Sequence, residues 1–288
     1  MKKILIPVDF SEYSQCAVDY ACQLIIANKS QQELDLVHVF TNQSNLYVNR
    51  QLSPGLEDPQ VAISKKEMEK LKEIIHIKYP NIVCQEIFKS GNLFEEVSKV
   101  TATFAYDAVI MGTKGTSGLE AIFLGSNTYD VILNTKTPVF GIPKNFDHFK
   151  KDRVGLLCNF KVAELEALQQ AIKLFGKGFE LILIHVNKED KDIQVLDAQF
   201  KQWIDEIIVQ TGIDNISYTV KAQVLYNHVA ENVSHAINNA LVDEHIDIML
   251  VTKSRKSFFR QIVGENIVRK LAYQMTVPTL FARVHAKS

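Results

Sequence analysis

The chain has 288 residues, 47% apolar and 23% charged, with 32 Lys plus Arg against 33 Asp plus Glu and a formal net charge of −1. At about 150 residues per domain this is two domains' worth of chain, each long enough to bury a core. The balanced charge gives no general positive field for nucleic acid or an anionic bilayer, and no apolar run approaches the roughly 18 to 20 residues of a bilayer span. Neither nucleic acid nor membrane is therefore an expected partner. The opening Met1-Lys2-Lys3-Ile4-Leu5-Ile6-Pro7-Val8 briefly imitates a leader, but Asp9 and Glu12 break the apolar stretch, which argues against a signal peptide. Cys16, Cys22, Cys84 and Cys158 show neither CxxC nor zinc spacing, a pattern that fits reduced thiols in a cytoplasm.

Ile4 to Val8 is too short and too continuously apolar for a surface helix and reads as a buried parallel strand. Ser11 is an N-cap. Beyond it, Ala17, Tyr20, Ala21, Leu24 and Ile25 fall on one helical face. Leu34 to Phe40 is the second strand, residues 41 to 62 a long aperiodic loop, and Ile63 to Lys78 a charged amphipathic helix. A third strand over Val83 to Phe88 follows, then a helix over Leu93 to Ala105 and a fourth strand over Ala108 to Met111. The first half closes with a helix over Ser126 to Asn134 and a short strand over Val139 to Ile142. Lys144 to Asp152 is charged and without apolar period, a linker between domains at 1–143 and 152–288.

The second half repeats the first. Lys3 to Phe10 matches Arg153 to Phe160, and Leu34 to Val39 matches Leu181 to Val186. Tyr106 to Gly112 matches Ile246 to Thr252, and Thr137-Pro138-Val139-Phe140 matches Val277-Pro278-Thr279-Leu280. The order is kept and the offset drifts only between about 139 and 150 residues, which is duplication with drift. Strands alternating with helices imply parallel sheets covered by helices on both faces. In such sheets ligands sit beyond the carboxyl ends of the strands.

After the fourth strand the chain reads Met111-Gly112-Thr113-Lys114-Gly115-Thr116-Ser117-Gly118, and nine residues separate Gly115 from Gly125-Ser126-Asn127. The pattern is G-x2-G-x9-G-S. Glycines let backbone amides approach a phosphate closely. Gly125-Ser126 opens a helix, where unpaired amides and the helix dipole favour an anion. Two anion-cradling elements about ten residues apart suit a polyphosphate. Neither a Walker loop nor the dinucleotide fingerprint G-x-G-x-x-G is present.

With Ile6-Pro7-Val8-Asp9, His38-Val39, the glycine pattern and Pro138-Val139, residues 1 to 143 resemble an ATP-binding universal stress protein domain. The whole chain resembles a tandem pair of such domains. The resemblance implies an α/β fold with two five-stranded parallel sheets of order 3-2-1-4-5, a cytoplasmic stress-response role, and binding of ATP, ADP or AMP with slow or no hydrolysis. It implies that Pro7, Val8 and Asp9 line the nucleotide pocket and that the backbone of Val39 bonds the adenine edge. Met111 and Gly112 would begin the phosphate loop, and Gly115, Gly125, Ser126 and Asn127 would hold ribose or phosphate. It also implies pairing of last strands, so that Val139-Phe140 and Thr279-Leu280 would form a pseudo-dimer within one chain. Further homodimers and an unidentified protein partner are compatible with this picture.

Asp9 has two readings. A bare carboxylate repels polyphosphate, so in the pocket it contacts sugar or base, or reaches phosphate through a cation such as Mg²⁺; otherwise it caps the following helix in competition with Ser11. His38 and His185, at matching strand positions, are read as structural histidines bonded to backbone, because two single histidines make no ligand cluster. Lys114 is read as a solvated loop lysine, and Trp203 as core. In the second half Asn159 replaces Asp9, Leu157 stands at the Pro7 position, and Thr252, Arg255 and Glu265 replace Gly112, Gly115 and Ser126. Side chains there occupy the approach to phosphate, so the second domain is expected not to bind nucleotide in the family's manner. Lys253, Arg255, Lys256 and Arg260 form a basic cluster in the same loop. No catalytic set or metal triad stands out. A slow ATPase would have Asp9 as its one candidate base, and a pure interaction module would leave the intact glycines unexplained.

Overall fold

The computed structural model describes residues 2–28, 32–40, 59–113, 126–144, 146, 148–187, 191–222, 225–226, 229–230, 233–253 and 276–283. It divides into two compact units, one drawn from Met1–Thr113 and Ser126–Asp147, the other running from His148.

The first unit contains β1 (Lys2–Pro7), α1 (Glu12–Ala27), β2 (Gln32–Phe40), α2 (Pro59–Lys78), β3 (Cys84–Ser90), α3 (Leu93–Thr103), β4 (Ala108–Gly112), α4 (Ser126–Asn134) and β5 (Val139–Ile142). Its strands are all parallel in the order β3-β2-β1-β4-β5, with Ile6 opposite Leu36, Leu5 opposite Val109 and Met111 opposite Gly141. α1 lies on β1, β4 and β5, while α3 and α4 pack together. Ile4, Leu5, Ile6, Leu34, Leu36, Val109 and Ile110 are fully buried, which explains their unbroken apolar runs. α2 begins at Pro59 rather than at Ile63. A proline suits the first helical position, where the amide has no partner to lose.

The second unit contains β6 (Arg153–Leu157), α5 (Val162–Phe175), β7 (Glu180–Asn187), α6 (Ile193–Thr211) and β8 (Ile216–Ala222). β9 (Leu225–Tyr226), β10 (Val229–Ala230), α7 (Val233–Asp243), β11 (Ile248–Lys253) and β12 (Thr279–Arg283) complete it. Its parallel sheet runs β8-β7-β6-β11-β12, the same order in its own numbering, and β9 and β10 pair antiparallel apart from it. Trp203 is half-buried on α6 rather than within the core.

Each sheet is pinned at the amino ends of its strands by the same device. The Lys3 amide donates to Asp107 Oδ2 at 2.9 Å, and the Asp107 amide returns a bond to the Lys3 carbonyl at 2.8 Å. In the second unit Arg153 and Asp247 repeat both bonds at 2.9 Å. The first unit adds a buried cluster beside the pin. Asp35 accepts from Tyr106 Oη at 2.5 Å and pairs with Lys3 Nζ at 2.9 Å. That bond to Asp35 holds Lys3 above the ordinary lysine pKa. Among the described residues no helix is long and apolar enough to cross a membrane.

Candidate functional site

Parallel pairing puts the carboxyl ends of β1, β2 and β4 at one end of the first sheet, and Pro7, Val8, Asp9, Val39, Met111 and Gly112 stand there. Gly115 and Gly125 lie outside the described residues, as does Lys114; Ser126 opens α4, and Asn127 is exposed in its first turn.

β1 leaves the sheet through a strained turn. The Val8 amide still bonds the Val37 carbonyl at 2.8 Å, and Phe10 then takes φ 61°, a left-handed conformation that a bulky residue holds only when its surroundings fix it. What fixes it is His38. Its Nδ1 lies 2.8 Å from the Val8 carbonyl, and its ring packs against Phe10 with centroids 4.8 Å apart. A carbonyl only accepts, so Nδ1 carries the proton and Nε2 is left to accept from Ser64 Oγ at 3.3 Å. His38 is therefore a backbone clamp at the mouth of the site. His185 does the same in the second unit, with Nδ1 2.9 Å from the Cys158 carbonyl beside Phe160 at φ 59°.

The register of β1 on β2 stops at Pro7 opposite Val37. Backbone groups of alternate residues on a parallel strand point to the same neighbour. Val37 faces β1, since its carbonyl takes the Val8 amide, whereas Leu34 and Phe40 face β3 through bonds with Val83 and Gly91. Val39 shares the direction of Val37, so its amide and carbonyl point to the β1 side just past the last paired residue. That is the geometry needed to read the edge of a flat heterocycle.

Asp9 is exposed and supports the start of α1, where Ser11 rather than Asp9 is the cap. Oδ1 accepts from the Ser11 amide at 3.1 Å and the Ser11 hydroxyl at 2.5 Å, and Ser11 Oγ in turn accepts from the Ser14 amide at 3.3 Å to cap α1. Partial burial acts to raise its pKa, but the Ser11 donors outweigh it and hold the carboxyl below the ordinary value.

Gly112 is a glycine for a reason that the phosphate argument misses. A Cβ built there would lie 2.2 Å from the Tyr13 carbonyl oxygen, so the first turn of α1 packs directly on the end of β4. The next residue, Thr113, is fully buried and spends its amide on the Ile142 carbonyl at 2.9 Å. On the far side of the glycine-rich loop, Thr128 Oγ1 donates to the Gly112 carbonyl at 3.3 Å. Tyr13 and Thr128 were not legible as site residues; the one available signal was a hydroxyl in the first turn of the helix that follows Gly125.

The second unit builds its cleft differently. The N-cap of α5 is Lys161, which makes no side-chain cap bond, and Glu164 reaches back instead, accepting from the Asn159 amide through Oε1 at 2.7 Å. Its Oε2 is buried without a hydrogen-bond partner. Burial pushes Glu164 up to about 7 against the pull of the Asn159 and Lys161 amides. Burial also pushes the neighbouring Cys158 thiol well above its ordinary range, as it does Cys22 and, to about 11, Cys84. None of these three is a thiolate at neutral pH. Thr252, at the Gly112 position, is buried. Lys253 ends β11, while Arg255, Lys256, Arg260, Gly264 and Glu265 lie outside the described residues. No group of three or more His, Cys, Asp or Glu that could hold a metal occurs among the described residues.

A doubly wound parallel sheet of order 3-2-1-4-5, with a glycine-rich sequence after its fourth strand, defines a class of α/β proteins. Through residues 1–143 the chain belongs to the universal stress protein family. A universal stress protein of Methanocaldococcus jannaschii is 27% identical over 158 residues, covering 50% of this chain and 95% of that protein. The crystal structure of a universal stress protein from Archaeoglobus fulgidus matches 99% of this chain and 97% of its own, with TM-score 0.69 and 21% identity. A functionally unknown protein from Pseudomonas aeruginosa matches 98% of the chain and 92% of its own, with TM-score 0.62 and 11% identity. These two likenesses extend the fold to both units.

Proposed function

We propose that this is a cytoplasmic regulatory protein of the stress response that binds one adenine nucleotide, ATP or a close relative, in its first unit. The observation that carries the reading is the meeting at one sheet end of the Val39 main-chain edge, the Val8–Asp9 turn and the Gly112 entry to G-x2-G-x9-G-S. The edge suits a purine, the turn a sugar, and the loop with the first turn of α4 a phosphate chain. The second unit is a copy without nucleotide, serving as a structural or partner-binding element. Glu164 at its first turn supports this, because a buried carboxylate there opposes an anion once it ionises.

Binding rather than turnover is the role. Asp9, the one candidate base, is committed to the Ser11 amide and hydroxyl. Any Mg²⁺ accompanying the nucleotide could draw on the Asp9 carboxylate, with phosphate and water as its other ligands.

Calorimetry with ATP tests the reading. One site per chain is expected, abolished by Gly115→Val. Two sites would refute the assignment of the second unit, and no binding by wild type would refute the first. Hydrolysis should stay at contaminant level and be unchanged by Asp9→Asn; a rate that falls with the substitution would make the protein an ATPase.

A further inference from the structure

We propose that a cavity at the amino end of the second sheet is a binding site for a small zwitterion of the amino-acid class. It lies at the far end of that sheet from the Asn159 turn, and it does not depend on the function proposed above. Its volume is about 460 Å³, within the range of small-molecule sites and far more than a bare ion fills. Three stretches enclose it: the start of β6 at Asp152-Arg153, the turn from α5 into β7 over residues 177–180, and the turn from α6 into β8 over residues 212–215.

The backbone of these walls is fixed. The Glu180 amide bonds the Asp152 carbonyl at 2.8 Å, and the Leu181 amide bonds the Asn215 carbonyl at 2.9 Å. Lys151 Nζ holds the first turn, donating to the Phe175 carbonyl at 2.5 Å and the Lys177 carbonyl at 3.0 Å. Gly178 turns the chain at φ 94°, and a Cβ there would meet nothing within 4 Å, so its conformation rather than its packing calls for glycine. Phe179 and Ile213, each 5% exposed, give the cavity an apolar base.

The charges around that base are unevenly used. Asp152 pairs with Lys150 Nζ at 3.3 Å. Glu180 pairs with Arg153 Nε at 3.5 Å and accepts from the Ser217 hydroxyl at 3.2 Å. Arg153 has five N–H donors, yet its side chain makes one hydrogen bond among the described residues, from Nη2 to Glu244 at 3.4 Å. The side chains of Lys177 and Asp214 are exposed and have neither hydrogen bond nor ion pair among the described residues. Lys177 Nζ stands 3.0 Å from where a Cβ on Gly212 would sit, so it reaches from one turn to the other and ends at the carboxyl end of α6, where the helix dipole favours a cation.

The ligand class follows from what is left over. Three carboxylates oppose a simple anion, and two cations oppose a simple amine. A neutral apolar molecule would strip water from Lys177 and Asp214 and return nothing. A carboxylate beside Lys177 and Arg153, an ammonium beside Asp214 and an aliphatic body on Phe179 and Ile213 meet all three demands.

The test titrates the full, isotopically labelled chain with three probes that share one aliphatic body. These are L-leucine, isopentylamine, which lacks the carboxylate, and 4-methylpentanoate, which lacks the ammonium. Leucine should shift the Gly178 and Gly212 amide resonances and bind about fivefold more tightly than either analogue, the scale of one exposed ion pair. Lys177→Met should bring leucine down to the affinity of the amine, and Asp214→Asn to that of the acid. Both variants should keep the urea midpoint of the wild type, since both side chains are exposed and unbonded. Leucine binding no tighter than its analogues, shifts that spare Gly178 and Gly212, or an advantage that survives both substitutions overturns the inference. None of these results bears on nucleotide binding in the first unit.

Discussion

At the first turn after its leading strand, the first unit carries Asp9, Ser11 and Ser14, whereas the second carries Asn159, Lys161 and Glu164. The surroundings are otherwise alike. Both units have a left-handed phenylalanine, both clamp the strand end with a histidine Nδ1 on a carbonyl, and both pin the opposite end with an aspartate on a main-chain amide. One turn is thus capped from outside by short hydroxyls and the other from inside by a buried acid. The scaffold tolerates either, because what holds it is elsewhere. The two units differ in the side chains that cap this turn and agree in the contacts that set the backbone path.

The sharpest break in this comparison is predicted at Gly112. Gly112→Ala puts a carbon against the Tyr13 main chain, which has no flexible end to move. We expect a loss of about 3 kcal/mol or more in the first unit, read by urea denaturation. Gly155→Ala is the control in the second unit. There the nearest atom is the Ile184 Cδ1 tip at 2.9 Å, and the change should cost less than about 1 kcal/mol. Equal costs would mean that the close approach of α1 to β4 is not what requires glycine.

Next comes Glu164. Its carboxyl titrates at about 7 when folded against an ordinary 4.5, so between these values the folded chain holds more protons than the unfolded one. Stability therefore falls as pH rises through that window. The gap corresponds to about 3 kcal/mol, present as a penalty above pH 7. Glu164→Gln should remove most of it at pH 8 and do nothing at pH 4, as urea melts across that range would record. A flat difference between variant and wild type would place the acid in solvent.

The smallest effect concerns the caps. Ser11→Ala should cost about 1 kcal/mol by removing the hydroxyl that accepts from Ser14. Lys161→Ser, at a residue already in extended conformation with φ −119° and ψ 137°, should gain roughly 0.5 to 1 kcal/mol. A loss on adding serine would show that Lys161 contributes something other than a missing cap.

Much of the fold was legible because its signal is local. Unbroken apolar runs such as Ile4–Val8 mark strands buried on two faces, and Ser11 marks a helix start. Strand–helix alternation implied the parallel sheets, the family resemblance implied their order, and the repeat carried both to the second half. The β9–β10 hairpin escaped notice because two-residue strands carry no period. The helix beginning at Pro59 was hidden because its first turn, Pro59-Gln60-Val61-Ala62, buries no side chain fully and sets no apolar period. The site was legible as a glycine spacing, but the reason for Gly112 was not, since it depends on the carbonyl of a residue ninety-nine positions away. Thr128 and Glu164 have the same character: their partners, Gly112 and Asn159, are chosen by the tertiary path of the chain.

The edge at Val39 is built of peptide groups aimed by strand direction, and Val186 inherits the same aim, since the Cys158 amide takes the Ile184 carbonyl just as Val8 takes that of Val37. No codon change can delete an amide of this kind short of proline. The carboxy-terminal copy accordingly keeps the same main-chain edge, whatever side chains its surroundings have come to carry.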